Sequence, residues 1–139
     1  MGAYRYVVRD ASVVSEIIDG EAIIMDMSSG TYYSADGVGG LIWQAILDGA
    51  SQEAILSAAQ LAFPHHAEAV GDIAQFLLDI ETRGLAQQSD GHGSAEPPIW
   101  TAPYAPPLLQ VHEDMQDLIQ LDPIHDVDQM GWPIRKTEG

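Results

Sequence analysis

The 139 residues include no cysteine and give a formal charge of −16, because 5 Lys and Arg stand against 21 Asp and Glu. The absence of cysteine excludes a disulfide framework, a zinc–thiolate site and a thiol nucleophile, and the negative charge repels phosphate backbones and anionic lipids, so we expect neither nucleic acid nor a membrane as partner. A hydrophobic content of 46% suffices for one core, and no stretch reads as a signal peptide or a bilayer span, so we expect a cytoplasmic protein.

The first predicted elements are three strands. The β-branched pairs Val13-Val14 and Ile17-Ile18, the turn pair Asp19-Gly20 and the segment 21–27 predict a hairpin. After a second turn, residues 31–34 combine β-branched and aromatic side chains and suit a third strand. In a three-stranded antiparallel meander, this third strand lies at an edge of the sheet.

Three helices are predicted next. The apolar residues between 41 and 46 share one helical face, and an Asp-Gly pair follows them. Ser51 is the predicted N-cap of a second helix, which Pro64 terminates. A third helix fits His66 to Arg83, with Gly84 where a left-handed C-terminal residue is expected. The predicted fold class is α+β and winged-helix-like, with a three-stranded antiparallel sheet followed by three helices and an extended C-terminal tail.

The composition changes near Gln88. Residues 89–99 are polar and rich in turn formers, which is typical of a flexible linker. This linker separates a patterned domain, residues 1–88, from a Pro-rich tail, residues 100–139. The tail contains scattered apolar residues and therefore needs a surface on which to pack.

Several blocks of the first region occur in a specific order. They are Val14-Ser15-Glu16 with Asp19-Gly20-Glu21, then Asp26-Met27-Ser28-Ser29-Gly30-Thr31-Tyr32-Tyr33, then Gly37 with Ile42-Trp43 and Leu47-Asp48-Gly49, and last Phe76-Leu77-Leu78 with Gly84-Leu85. Together they closely resemble the PqqD-like family, also called the RiPP recognition element, where RiPP denotes a ribosomally made and later modified peptide. The resemblance implies a peptide-recognition domain that binds the leader segment of a precursor peptide while other enzymes modify its core.

The resemblance also implies where the peptide binds. An edge strand carries unpaired N–H and C=O groups that accept an added strand, and the groove would lie between the third strand and the third helix. The predicted peptide-binding residues are Met27, Thr31, Tyr32, Tyr33, Ser34, Ile73, Phe76, Leu77 and Ile80. For Ile73, Leu77 and Ile80, a pure core role is the alternative. Since Arg83 is the only Arg or Lys of that helix, backbone pairing and apolar anchors have to provide the affinity.

The tail contains a possible ligand for this groove. Residues 104–109 fit the Tyr-x-x-Pro-x-Leu pattern that lasso-peptide leaders show. We therefore predict a natural fusion of a recognition domain with a leader-like segment, whose anchors are Trp100, Tyr104, Pro107 and Leu109. A chance match within a Pro-rich tail is the alternative. Residues 121–133 are dense in functional side chains and are a candidate modified core, although they lack the Gly start of a lasso core.

The partners follow from the resemblance. They are a precursor or leader peptide, supplied by the tail itself or by a separate chain, and peptide-modifying enzymes such as an ATP-using cyclase and a leader protease. No cofactor, metal ligand or catalytic residue is predicted. The groups around His65, His112 and His125 lack the spacing of a closed metal site, and no Gly-x-Ser-x-Gly elbow or phosphate loop occurs. We expect that the protein is not an enzyme.

Two other functions stay open at this point. The first is an oligomerisation or adaptor domain whose tail docks on a neighbouring copy, which gives a homo-oligomer by tail exchange. The second is a helix-turn-helix regulator, which Glu68, Asp72, Asp79 and Glu81 oppose because they repel DNA phosphates. The sequence leaves open which modification is made, whether the tail is ligand or substrate, whether docking is in cis or in trans, and the oligomeric state.

Overall fold

The structure, a computed structural model, describes residues 4–93 and 96–112. The elements in chain order are strands β1 (Tyr4–Val8), β2 (Val13–Ile18), β3 (Glu21–Asp26) and β4 (Thr31–Ala35), helices α1 (Gly37–Leu47), α2 (Gln52–Ala62) and α3 (Ala69–Thr82), and strands β5 (Ala86–His92) and β6 (Gln110–His112). The α+β class and the three helices are confirmed. The predicted sheet of three strands is wrong, because the strands form a two-stranded sheet, β1-β5, and a four-stranded sheet, β2-β3-β4-β6, all antiparallel.

The β2-β3-β4 meander has the predicted order. Asp19 and Gly20 have φ angles of 53° and 83°, as a two-residue hairpin turn of the I′ type requires. At the next turn the buried Asp26 carboxylate accepts a hydrogen bond from the Ser28 N–H at 3.0 Å. It also accepts hydrogen bonds from the two terminal nitrogens of Arg9, at 3.2 and 3.0 Å. The hydrogen bonds from Arg9 and from Ser28 hold the pKa of Asp26 well below its usual value. This polar cluster fixes the turn that leads into β4.

Helix α1 packs against β1, β3 and β4, α2 packs against α3 and β1, and α3 packs against β5. Ser51 caps α2 by accepting the Ala54 N–H at 3.1 Å, and Gly84 takes a φ of 74° after α3. Both features were predicted, whereas α3 begins at Ala69 and not at His66. The core includes Trp43, Ile46, Ile55, Ile73, Leu77, Ile80 and Leu85, all essentially inaccessible to solvent.

Both strands of the two-stranded sheet, β1 and β5, lie where no strand was predicted. β1 pairs with β5, and Tyr6 of β1 donates a hydrogen bond to Glu81 of α3 at 2.8 Å. β5 continues to His92, past residue 88, so the pairing extends into the segment read as linker. The domain boundaries and the winged-helix-like arrangement stay predictions. The candidate core 121–133 and the group around His125 lie outside the described residues.

No helix in the described part of the chain is long and apolar enough to cross a bilayer.

Candidate functional site

The edge of β4 that faces away from β3 is paired with the chain's own tail. β6 lies antiparallel to β4, with Tyr32 opposite His112, Tyr33 opposite Val111 and Ser34 opposite Gln110. The tail therefore forms the fourth strand of the sheet, at the edge that the sequence identified. An added strand at an open edge satisfies backbone groups that would otherwise face solvent.

His112 packs on one face of this strand pair and is half-buried. Its ring stacks on Tyr32 with the ring centroids 4.3 Å apart and an interplanar angle of 11°, and its Nε2 lies 3.3 Å from the Ser34 hydroxyl. Tyr32 and Ser34 are both buried. A cross-strand pair of this kind stabilises the pairing and fixes its register.

The tail upstream of β6 runs along α3. A cleft of about 330 Å³ separates them, lined on the helix by Asp72, Gln75, Phe76 and Asp79 and on the tail by residues 106–109. Phe76 and Leu109 are only 5% and 7% exposed, whereas the neighbouring Leu108 is 64% exposed. Leu109 thus points into the apolar core and Leu108 points away, as alternation along an extended chain requires.

Tyr104 lies at the start of α3. Its hydroxyl donates to the Asp72 carboxylate at 2.5 Å, and its ring centroid is 5.0 Å from that of Phe63 and 4.9 Å from that of His66. Burial of the phenol, the hydrogen bond to Asp72 and the negative charge of Glu68 together raise the pKa of Tyr104 above its ordinary value. The phenol therefore stays protonated and donates at neutral pH.

The predicted anchors of the tail all contact the domain. Trp100 and Leu109 are buried, Tyr104 packs against the core, and Pro107 lines the cleft beside Phe76. Pro107 and Leu109 lie along α3 beside Phe76, whereas Trp100 packs near Phe63 at the end of α2. Leu109 and Phe76 form the apolar centre of the contact along α3.

Other predicted binding residues lie elsewhere. Ile73, Leu77 and Ile80 are fully buried in the core, so the structure places them beneath the groove. Met27 is 56% exposed in the turn after β3. Thr31 is half-buried and lies opposite Asp26 of β3.

Four residues that contact the tail or hold it were missed. They are Phe63, His66 and Asp72 on the domain and His112 on the tail. One signal was present for Asp72, because it precedes Phe76 by one helical turn and so shares its face of α3. Phe63 and His66 lie around the Pro64 turn, where sequence periodicity carries no directional information.

Comparison with protein families supplies the relationship. Residues 21–86 match the family model described as "Coenzyme PQQ synthesis protein D (PqqD)". The chain contains a PqqD-like domain. The match runs from β3 to the first residue of β5 and so includes β4 and α3, the two elements that border the groove of this PqqD-like domain. It supports a peptide-binding role in the modification of ribosomally made peptides. Comparisons with curated proteins and with solved structures gave no significant match.

The described part of the PqqD-like domain and its tail was also inspected for metal-binding clusters. Within residues 4–93 and 96–112, no three His, Asp or Glu side chains are arranged to hold a metal ion. The groups brought together at the groove are backbone amides, aromatic rings, apolar side chains and one phenol–carboxylate pair. Such an arrangement can hold an extended chain, and in this structure it holds the tail.

Proposed function

We propose that the PqqD-like domain is a non-catalytic recognition module that docks an extended leader segment as an added strand between β4 and α3. We further propose that residues 100–112 are a leader-like segment, carried in the same chain and bound in cis. The observation that carries the proposal is the antiparallel pairing of β6 with β4. This pairing uses the edge strand within the part of the chain that the family model matches.

The chemistry of the groove supports backbone recognition assisted by a few anchors. Backbone pairing is independent of sequence, so specificity has to come from side chains that reach pockets. Leu109 reaches the core beside Phe76, and Tyr104 satisfies the Asp72 carboxylate. Full burial of a leucine contributes roughly 1.5–3 kcal/mol relative to leaving it exposed. Three such anchors contribute roughly 4.5–9 kcal/mol, and a micromolar dissociation constant corresponds to about 8 kcal/mol, so anchors and backbone pairing together have to provide it.

The module acts, in this proposal, by presenting a tethered peptide to other enzymes. The partners we propose are a peptide-modifying enzyme such as an ATP-using cyclase and a leader protease. The described part of the docked tail runs past α3 and ends at His112, whose ring stacks on Tyr32.

The test cuts the chain and asks whether the tail still binds. A protease site inserted after Gly93 of the full-length protein allows the tail to be released as a separate peptide and titrated back, with binding followed by calorimetry. We expect a dissociation constant in the micromolar range. Val111→Pro, which removes a backbone donor from β6, should weaken binding at least tenfold.

Leu108 and Leu109 provide a matched pair that tests how much the side chains of the tail contribute to binding. Leu109→Ala removes an anchor that is 7% exposed, and Leu108→Ala makes the same chemical change at a position that is 64% exposed. We expect at least a tenfold loss of affinity for the first and less than a twofold change for the second. Equal effects of the two alanine variants, or a proline variant that binds as well as the natural tail, would contradict the proposal.

Light scattering on the uncut chain distinguishes cis from trans docking. A concentration-dependent dimer that Val111→Pro dissolves would show that tails are exchanged between copies. A monomer at all concentrations, with the β4–β6 amides protected from hydrogen exchange, is the expected result.

A further inference from the structure

We infer that peptide recognition extends beyond the sheet edge to the end of α2, which forms a subsite for a large aromatic side chain four residues before the tyrosine. The inference rests on the proposed function and specifies its ligand class. A preferred peptide would be extended and would carry Trp, or a residue of similar size and shape, at that position. The strand-addition groove between β4 and α3 does not include this subsite.

The burial of Trp100 is the first observation. Its side chain is only 8% exposed, although it lies in a segment without helix or strand, and the preceding Ile99 is 91% exposed. Of these two adjacent apolar residues, one is therefore buried and the other is exposed. A segment that lay on the surface without specific contacts would expose both to similar extents, so the domain selects the indole.

The surface that receives the indole belongs to α2 and the residue that ends it. The Trp100 ring centroid lies 6.2 Å from that of Phe63, with an interplanar angle of 37°, a tilted geometry that favours aromatic pairs. The indole also forms one wall of a cleft of about 110 Å³, whose other walls are Ala58, Leu61, Ala62 and residues 97–99. None of these lining residues carries a charge. The small side chains of the two alanines leave room for a two-ring system. Because the lining is apolar, it disfavours a charged side chain.

Phe63 couples this subsite to the tyrosine. Its ring contacts Trp100 on one side and Tyr104 on the other, where the centroids are 5.0 Å apart and the planes are tilted by 60°. One side chain thus serves two anchors of the peptide. Four residues of chain span at most roughly 13 Å, so a phenylalanine shared by both rings limits the spacing between the two aromatic residues of the ligand.

The experiment uses the full-length chain and measures opening of the docked tail. Hydrogen exchange of the β4–β6 amides, followed by NMR, gives the opening constant in each variant. Trp100→Ala should raise it about 30-fold, which corresponds to loss of a buried aromatic anchor. Trp100→Phe should stay within about fivefold of the natural protein. Leu78→Ala, on α3 at a position that is 53% exposed and lines neither cleft, is the control and should change the opening constant less than twofold.

A double-mutant cycle identifies the receptor side. Phe63→Leu keeps an apolar side chain but removes the ring, and its effect on opening should be at least threefold smaller when Trp100 is already alanine. Amides of α1 report global stability in the same spectra and separate a loss of docking from a loss of the fold. An equal effect of Phe63→Leu in both backgrounds, or a Trp100→Ala variant that opens like Leu78→Ala, would overturn the inference.

Val111→Pro separates the two proposals. If it leaves the β4 amides as protected as before, strand addition itself fails and the proposed function falls. If it removes their protection while Trp100→Ala and Trp100→Phe both leave the opening constant unchanged, docking stands and only the aromatic subsite is rejected.

Discussion

Replacing Tyr104 with phenylalanine deletes one hydroxyl and retains the ring. The contacts of the ring with Phe63 and His66 therefore survive, and the hydrogen bond to Asp72 is the interaction removed. The change tests whether the domain reads the phenol of the tail or only its aromatic surface. It is small enough that the strand pairing of β6 should be unaffected.

The expected magnitude follows from the environment of the bond. A hydrogen bond to a charged group contributes about 1.5–3 kcal/mol net. Tyr104 and Asp72 are both half-buried, so water can reach the carboxylate once the hydroxyl is gone, and the lower end of that range applies. A loss of about 1.5 kcal/mol weakens tail binding about tenfold. Asp72→Asn keeps an acceptor oxygen and loses only the charge, so we expect about a threefold effect.

Calorimetric titration of the released tail peptide into the cut protein measures both variants directly. Binding by Tyr104→Phe within twofold of the natural peptide would refute the argument, because the phenol would then contribute nothing to recognition. The pH dependence adds an independent check. Since the pKa of Tyr104 is raised in the docked state above its ordinary value of 10.0, the tyrosine's advantage over phenylalanine should be complete below pH 10 and should shrink as the pH rises above it.

Three further predictions concern the fold that holds the groove. The pKa of Asp26 is lowered chiefly by its hydrogen bonds with Arg9, so the stability that this carboxylate contributes is present above about pH 4 and is lost as the pH falls. In Asp26→Asn, the midpoint of thermal unfolding should therefore depend less on pH between pH 2 and 6 than in the natural protein. A Cβ on Gly40 would lie 2.2 Å from a backbone oxygen of the β2–β3 turn, so Gly40→Ala should unfold at clearly lower urea concentration. Gly71 has open space around it in α3, so the control Gly71→Ala should raise the free energy of unfolding by about 0.5–1 kcal/mol. Trp43 is inaccessible and its indole N–H donates to a serine hydroxyl of β2 at 2.9 Å, so Trp43→Phe should cost about 2 kcal/mol in urea denaturation, and a loss below 0.5 kcal/mol would contradict this account.

The elements that the sequence predicted well are those with a local signal. The hairpin turn at Asp19-Gly20, the cap at Ser51 and the stop at Gly84 each depend on backbone chemistry within a few residues. The position of the open edge followed from strand order alone. These features need no knowledge of distant parts of the chain, which is why they could be inferred.

The missed strands differ in how much signal they carried. β1 is rich in aromatic and β-branched residues, so its composition was compatible with a strand. β5 reads Ala-Gln-Gln-Ser-Asp-Gly-His and is mostly exposed, and it is a strand because β1 offers it backbone partners. β6 is only three residues long and depends in the same way on β4. Such tertiary pairing leaves no trace in local periodicity.

The candidate site was predictable to a similar degree. The anchors of the tail were found because they form a spaced pattern of large side chains. Their receptors Phe63, His66 and Asp72 were not found, because they come from two helices and the turn between them and meet only in the folded domain. The three apolar residues Ile73, Leu77 and Ile80 show the converse limit, since periodicity identifies a buried face without telling a groove from a core.

The short connection between β5 and Trp100 has a consequence for any competing peptide. A tether of this length keeps the tail at roughly millimolar local concentration around its own groove. If the free segment bound with a dissociation constant of about 10 µM, the groove would be filled about 99% of the time, and an outside leader would have to overcome roughly a hundredfold handicap. Severing the tether, or chemically altering the bound stretch, would lift that handicap and vacate the groove for a newcomer.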